Sequence, residues 1–296
     1  MRNEPNHRQL SRRTLLATAA TALAGCRSPA AAQPSPSPTP SPSPDRSPAP
    51  TPSPSPSTGS ALPTRPEVIA RHSGAAPTQW GLDVTGVITR LPEGSTATAL
   101  TFDACGGPGG SGYDADLVAL LRTQAVPATL FLNARWIDAN PTVFAELAAD
   151  PLFEIGNHGT SHRPLSVTGR SAYGITGTHD LGEVYDEVAG NTRKLTALLG
   201  HPPRFFRSGT AHYDDIATQV VTDLGERVAG FTVNADAGAT LTAPQVHRQL
   251  TTTPPGTIVI AHLNHPAGGT APGFATALPA LLATGRHFVR LSEALP

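Results

Sequence analysis

From about Glu67 onward the chain alternates two hydrophobic rhythms. Short apolar runs rich in Val, Ile, Leu and Phe give way to longer stretches whose apolar residues fall three or four apart, and Gly, Pro or Asn marks the changes. The short runs predict seven strands, at residues 97–102, 127–132, 153–156, 204–206, 228–233, 257–261 and 287–291. The longer stretches predict helices at 114–124, 141–149, 181–199, 214–224, 244–250 and 273–283. In the longest helix Val184, Val188, Leu195 and Leu199 share a face, and Gly200 follows as a C-terminal cap. Such alternation predicts an α/β fold with a parallel sheet, open or closed.

The predicted strands end on polar residues. Asp103 ends the first, Asn133 the second, Asn157 and His158 the third, Arg207 the fourth, Asn234 and Asp236 the fifth, and His262 the sixth. The C-terminal edge of a parallel β/α barrel is where an active site forms. An open sheet gathers its functional residues near one switch point, so contributions from six consecutive strands favour a barrel, and an enzyme. A Gly-, Ser- and Thr-rich loop over residues 163–180 is a candidate lid.

Composition divides the chain. Residues 1–26 read as an export signal, basic up to Arg13 and then apolar over 15–24, too short a run to span a bilayer. Ser11-Arg12-Arg13-Thr14-Leu15-Leu16 resembles a twin-arginine signal, and Leu23-Ala24-Gly25-Cys26 resembles a lipobox. Together they predict export from a bacterial cell, with the protein anchored on the outer side of the cytoplasmic membrane through a lipid on Cys26, or secreted. Residues 27–66 alternate Pro and Ser with Thr and Ala, a disordered spacer. At about 3.1 Å per residue it reaches on the order of 100 Å. Residues 67–296 remain as one catalytic-size domain. A net charge of -1, with 15% charged residues and no basic run, excludes a nucleic-acid binder. Cys26 and Cys105 are the two cysteines, which excludes a disulfide scaffold.

Several strand-end residues carry recognisable chemistry. His158-Gly159-Thr160-Ser161-His162 sets two imidazoles four apart, which on a helical turn share a face and suit a transition metal. His262 ends a strongly apolar strand, and a histidine there can serve as general acid near neutral pH, with His265 a more distant rival. Arg207 directs a permanent charge to the same edge and could orient Asp103 or Asp236. Gly107-Pro108-Gly109-Gly110-Ser111-Gly112 fits a dinucleotide-binding turn, but Asn133 stands where the second strand would need an acid. Aromatic residues are only 5%, so no extended sugar-stacking groove is evident; Trp136 is the best single platform.

With these residues in view, the stretch from about Thr96 to the C-terminus resembles the polysaccharide deacetylases, metal-dependent enzymes that remove acetyl groups from chitin, peptidoglycan or xylan on a distorted (β/α) barrel. Thr101-Phe102-Asp103 matches the start of that family's Thr-Phe-Asp-Asp-Gly segment, His158 and His162 its metal-binding histidines, Arg207 its arginine and His262 its final histidine. The resemblance implies a divalent metal, with zinc favoured. It also implies Asp103 as general base toward water, His262 as the acid that protonates the departing amine or alcohol, and backbone N–H groups near Thr210 to Tyr213 facing the oxyanion. The chain departs at Ala104, which stands where the family places an aspartate ligand and cannot bind metal. Cys105 one residue on, Asp103 itself, or water could complete the site, or the metal could be absent. A barrel kept as a catalytically inactive glycan-binding lipoprotein is the alternative function. No protein partner is identified.

Overall fold

The computed structural model describes residues 62–296; the expected export signal, Cys26 and nearly all of the Pro/Ser-rich segment lie outside the described residues. In chain order the elements are α1 (Arg65–His72), β1 (Trp80–Gly81), β2 (Val87–Ile88), β3 (Thr98–Ala104), α2 (Ala115–Thr123), β4 (Ala128–Leu132), α3 (Ala134–Ala139), α4 (Pro141–Ala148) and β5 (Phe153–Asn157). Then come α5 (Leu181–Leu199), β6 (Phe205–Phe206), β7 (Tyr213–Asp214), α6 (Asp215–Asp223), β8 (Arg227–Ala229), β9 (Val233–Asn234), α7 (Ala243–Thr251), β10 (Thr257–His262), α8 (Thr270–Ala283), β11 (Phe288–Val289) and α9 (Leu291–Ala294). Helix α1 starts two residues before Glu67. Thr64 and Glu67 form a capping box that starts α1, and Arg65 pairs with Asp186 of α5 at 3.1 Å. Among the described residues no helix is long and apolar enough to cross a membrane.

Nine strands form one parallel sheet in the order β2-β8-β6-β5-β4-β3-β10-β9, with β11 beside the first residues of β3. The sheet curls until its margins meet through single bonds rather than a ladder: Thr232 Oγ1 donates to Thr89 O at 2.7 Å, and Leu91 N–H to Gly256 O at 3.1 Å. This is the distorted (β/α) barrel expected, with two more strands than the rhythm counts. The run over 228–233 breaks at Gly230, whose N–H donates to Ile88 O at 2.8 Å, so it supplies both β8 and β9. Two-residue β2 is too short to show any periodicity.

Period-two alternation sorts the strands' side chains into two layers. Leu100, Phe102 and Ala104 of β3 face outward with Val259 and Ala261 of β10, against Leu117 and Leu121 of α2 and Phe274 and Leu278 of α8. Ala99, Phe131, Phe205 and Ile258 face inward and fill the barrel. The inward positions that follow toward the C-terminal edge are Thr101 and Asp103 on β3, His262 on β10 and Arg207 beyond β6, so polar groups sit on an apolar plug.

Asp180 caps α5 by accepting from Glu183 N–H at 2.8 Å, and Gly200 ends it in the left-handed region at φ 80°. The loop over 163–180 is not the free lid its composition suggests. Thr178 Oγ1 donates to Ser166 O at 2.7 Å and accepts from Ser166 N–H at 2.8 Å, Gly169 N–H donates to Thr178 O at 3.1 Å, and Arg163 pairs with Glu183 at 2.7 Å. These bonds make it a strap.

Candidate active site

Asp103 and His262 are Cα partners on the adjacent parallel strands β3 and β10, so their side chains leave the sheet side by side. Asp103 is buried, and its Oδ1 accepts from Arg207 Nη1 at 2.8 Å. Arg207 is fully buried too: Nη1 also donates to Thr101 Oγ1 at 2.8 Å, Nε to Ala229 O at 3.0 Å and Nη2 to Gly230 O at 2.9 Å, while the guanidinium lies 4.3 Å from the Phe131 ring centroid. Burial alone would raise the Asp103 pKa. Arg207, and then His158 and His262, outweigh it and hold the carboxyl below its ordinary value. Of the two carboxylates Arg207 was expected to orient, it takes Asp103.

Asp236 belongs instead to His262. Its Oδ1 lies 2.9 Å from His262 Nδ1, and its Oδ2 accepts from His262 N–H at 2.7 Å and from Thr270 Oγ1 at 2.9 Å. The pair fixes the ring with Nε2 left for the cleft. Burial would lower the His262 pKa, but Asp236 and the Cys105 thiol outweigh it and carry it well above the ordinary value.

Beside these pairs Cys105, His158 and His162 each offer one ligand atom, all within 4.8 Å of one another. Asp103 stands next to this set rather than in it: its Oδ2 is 3.6 Å from His158 Nε2, and its Oδ1 is engaged by Arg207. The two histidines do not share a helical turn. They are brought together by a loop in which Gly159 has φ 76° and His162 φ 63°, with the rings 5.0 Å apart and nearly perpendicular. Glu187 of α5 shapes that loop: its carboxylate accepts from Ser161 N–H at 2.9 Å and Arg163 N–H at 3.2 Å. A Cβ at residue 159 would stand 2.4 Å from Glu187 Oε1, so glycine is required there. His158 Nδ1 bonds to Arg207 O at 2.9 Å, leaving Nε2 for a ligand, and His162 Nε2 is buried with no hydrogen-bond partner among the described residues. Burial would raise the Cys105 pKa, but His158, His162 and His262 hold the thiol well below its usual value. An orphaned imidazole nitrogen, a second imidazole of fixed tautomer and an acidified thiol are a donor set that fits zinc.

The cleft lined by Asp103, Cys105, His162 and His262 has a volume of about 380 Å³. The family model for polysaccharide deacetylase matches residues 91–229, which includes Asp103, His158, His162 and Arg207 and stops before Asp236 and His262. Residues 91–229 are thus similar to a polysaccharide deacetylase domain. No curated protein matches the sequence. Among solved structures, a CE4 family pseudoenzyme from Bacillus anthracis aligns with TM-score 0.60 at 22% identity over 72% of this chain and 70% of its own. A peptidoglycan N-acetylglucosamine deacetylase aligns with TM-score 0.59 at 21% identity over 71% and 92%. A family 4 acetyl xylan esterase from Clostridium thermocellum, solved with a cobalt ion, aligns with TM-score 0.54 at 21% identity over 67% and 89%. At these identities the likeness is one of fold.

Two other strand-end residues, Asn133 and Asn157, serve the framework of the fold. Asn133 caps α3 and donates to His158 O at 2.9 Å and Gly159 O at 2.8 Å. Asn157 points outward to Glu226, Thr192 and Val188, the opposite face from His158. Asn234 and His265 line the cleft. Trp136, fully buried with Nε1 donating to Gly112 O at 2.7 Å, is no sugar platform. The glycine loop does not cradle a phosphate. Gly106 N–H donates to Gly110 O at 2.9 Å, and the N-terminus of α2 is already capped by Asp114, which accepts from Leu117 N–H at 3.0 Å. In the stretch expected to face an oxyanion, Ala211 N–H donates to Ser208 O at 2.9 Å and His212 N–H turns to Thr210 Oγ1 at 3.4 Å, so both are committed within the turn.

Proposed function

We propose that the domain is a hydrolase that removes acetyl groups from a cell-wall or extracellular polysaccharide, with a divalent metal, zinc by its donors, held by Cys105, His158 and His162. The observation that carries the reading is the meeting of the Asp103–Arg207 and Asp236–His262 pairs on neighbouring strands beside that cluster, in one cleft. When bound, the metal supplies Lewis-acid polarisation of the acetyl carbonyl and of water. Asp103, kept ionised by Arg207, accepts a proton from the attacking water. His262, kept protonated by Asp236, delivers a proton from Nε2 to the departing nitrogen or oxygen. On this reading the export signal and a lipid on Cys26 place the domain outside the bacterial cytoplasm, where such polymers lie.

The test is acetate release from chito-oligosaccharides, peptidoglycan and acetylated xylan with added zinc or cobalt. Asp103→Asn and His262→Ala should each lower turnover about 100-fold or more, the scale of a lost general base or acid. Wild-type turnover that survives both substitutions would sink the mechanism. Ala104 favours a second reading, a glycan-binding lipoprotein without catalysis. Glycan binding with no acetate released from any of the three polymers would select it.

A further inference from the structure

Tyr173 is the most exposed large hydrophobic side chain among the described residues, at 76%, yet it lines the same cleft as Asp103, Cys105 and His262. It stands at the tip of a two-residue hairpin in the strap. Ala172 N–H donates to Ile175 O at 3.1 Å and Ile175 N–H to Ala172 O at 2.9 Å, leaving Tyr173 and Gly174 at φ 51° and 76°. Two positive φ values in a row are type I′ geometry, where Asn, Asp or Gly normally takes the first place. A bulky aromatic there is strained, and strain of this kind gathers at functional sites.

The ring's base is braced while much of its surface stays open. His212 meets it edge-on with centroids 5.1 Å apart, and Trp80 lies 5.9 Å beyond His212 with the Arg170 guanidinium 5.0 Å from its centroid. His212 is itself oriented by Nδ1 against Thr210 O at 2.8 Å. An exposed aromatic gains nothing for the fold by facing water, but a preorganised ring at a cleft mouth can receive the C–H face of a pyranose at little entropic cost.

We propose that Tyr173 is the sugar-stacking platform of this cleft, receiving a pyranose ring of the polymer next to the residue whose acetyl group is removed. The inference rests on the polysaccharide reading above and adds the residue that recognises the chain. Product-like tetramers, glucosamine tetramer and xylotetraose, carry no acetyl group and report binding apart from chemistry. Calorimetric titration of the full chain with each should show Tyr173→Ala weakening at least one tetramer about tenfold, the scale of a lost aromatic contact. Tyr173→Phe should stay within about twofold of wild type, because the ring and not the hydroxyl makes the contact. Tyr173→Asn keeps a residue the turn prefers and should lose binding with no loss of thermal stability, which separates loss of the ring from loss of the loop.

The proposal is overturned if Tyr173→Ala binds like wild type, if Tyr173→Phe is as weak as Tyr173→Ala, or if wild type binds neither tetramer. Acetate release separates it from the hydrolase reading. An acetylated tetramer turned over by Tyr173→Ala with unchanged KM removes the platform and leaves the hydrolase. Ring-dependent binding with no acetate released by wild type upholds the platform and removes the hydrolase.

Discussion

Cys105 and Ala104 leave their strand on opposite sides, and the chemistry of the site turns on that. Ala104 is packed in the outer apolar layer, while Cys105 is the next inward residue after Asp103 and meets His158 and His162. A thiolate ligand gives cobalt a sulfur-to-metal charge-transfer band in the near ultraviolet. Cobalt-loaded protein should show the band, and Cys105→Ser should lose it. The same variant should bind zinc at least about 100-fold more weakly in a chelator competition, the top of the range for a lost outer partner of a ligand. An unchanged spectrum in Cys105→Ser would remove sulfur from the ligand set. Asp103, Arg207 and His262 could be read from sequence because each follows an apolar run that must end at the barrel's edge. Asn157 could not be separated from His158, since one residue decides which layer a strand side chain enters. Glu187 gave no signal at all, being one polar residue inside the buried face of a long helix.

At the scale of elements, β3 is the informative strand, because it stays regular through Ala104. Its unbroken alternation turns position 104 away from the cleft. Ala104→Asp, which restores the residue type the family resemblance expects, should therefore place a carboxylate in the buried outer apolar layer. It should destabilise the fold by several kcal/mol, on the order of 3–5, as an unpaired buried charge does. Added to Cys105→Ser, it should recover no zinc affinity. Urea unfolding and zinc titration of the single and double variants check both halves, and recovered affinity would show that β3 can end one residue earlier. The long strands and helices were legible from periodicity. The two-residue strands and the loop that joins the histidines were not, because tertiary bonds, such as those to Glu187, make them.

Across the whole molecule, a second polar network lies on the outer side of the barrel. Glu226 is buried, its Oε1 accepts from Thr192 and Asn157, and its Oε2 has no partner among the described residues. Burial pushes its pKa from 4.5 up to about 8. The raised value fixes the sign: stability present below pH 4.5 is lost as pH rises toward about 8, where the unfolded chain is ionised and the folded one is not. The slope should be about 1.4 kcal/mol per pH unit within that window. Glu226→Gln should flatten it and be the more stable form at pH 8, as denaturant midpoints from pH 5 to pH 8 would reveal; parallel curves for the two proteins would contradict it. Arg207, finally, is also a cross-brace, for it ties Thr101 and Asp103 to the carbonyls of Ala229 and Gly230 at the point where the curled sheet closes. Inheritance therefore sees one side chain under two pressures. A descendant with any chemistry, or none, would still be held to this arginine by its need to fold, and to His262 as the partner of buried Asp236, whereas Cys105, which makes no such tie to the frame, would be free to drift.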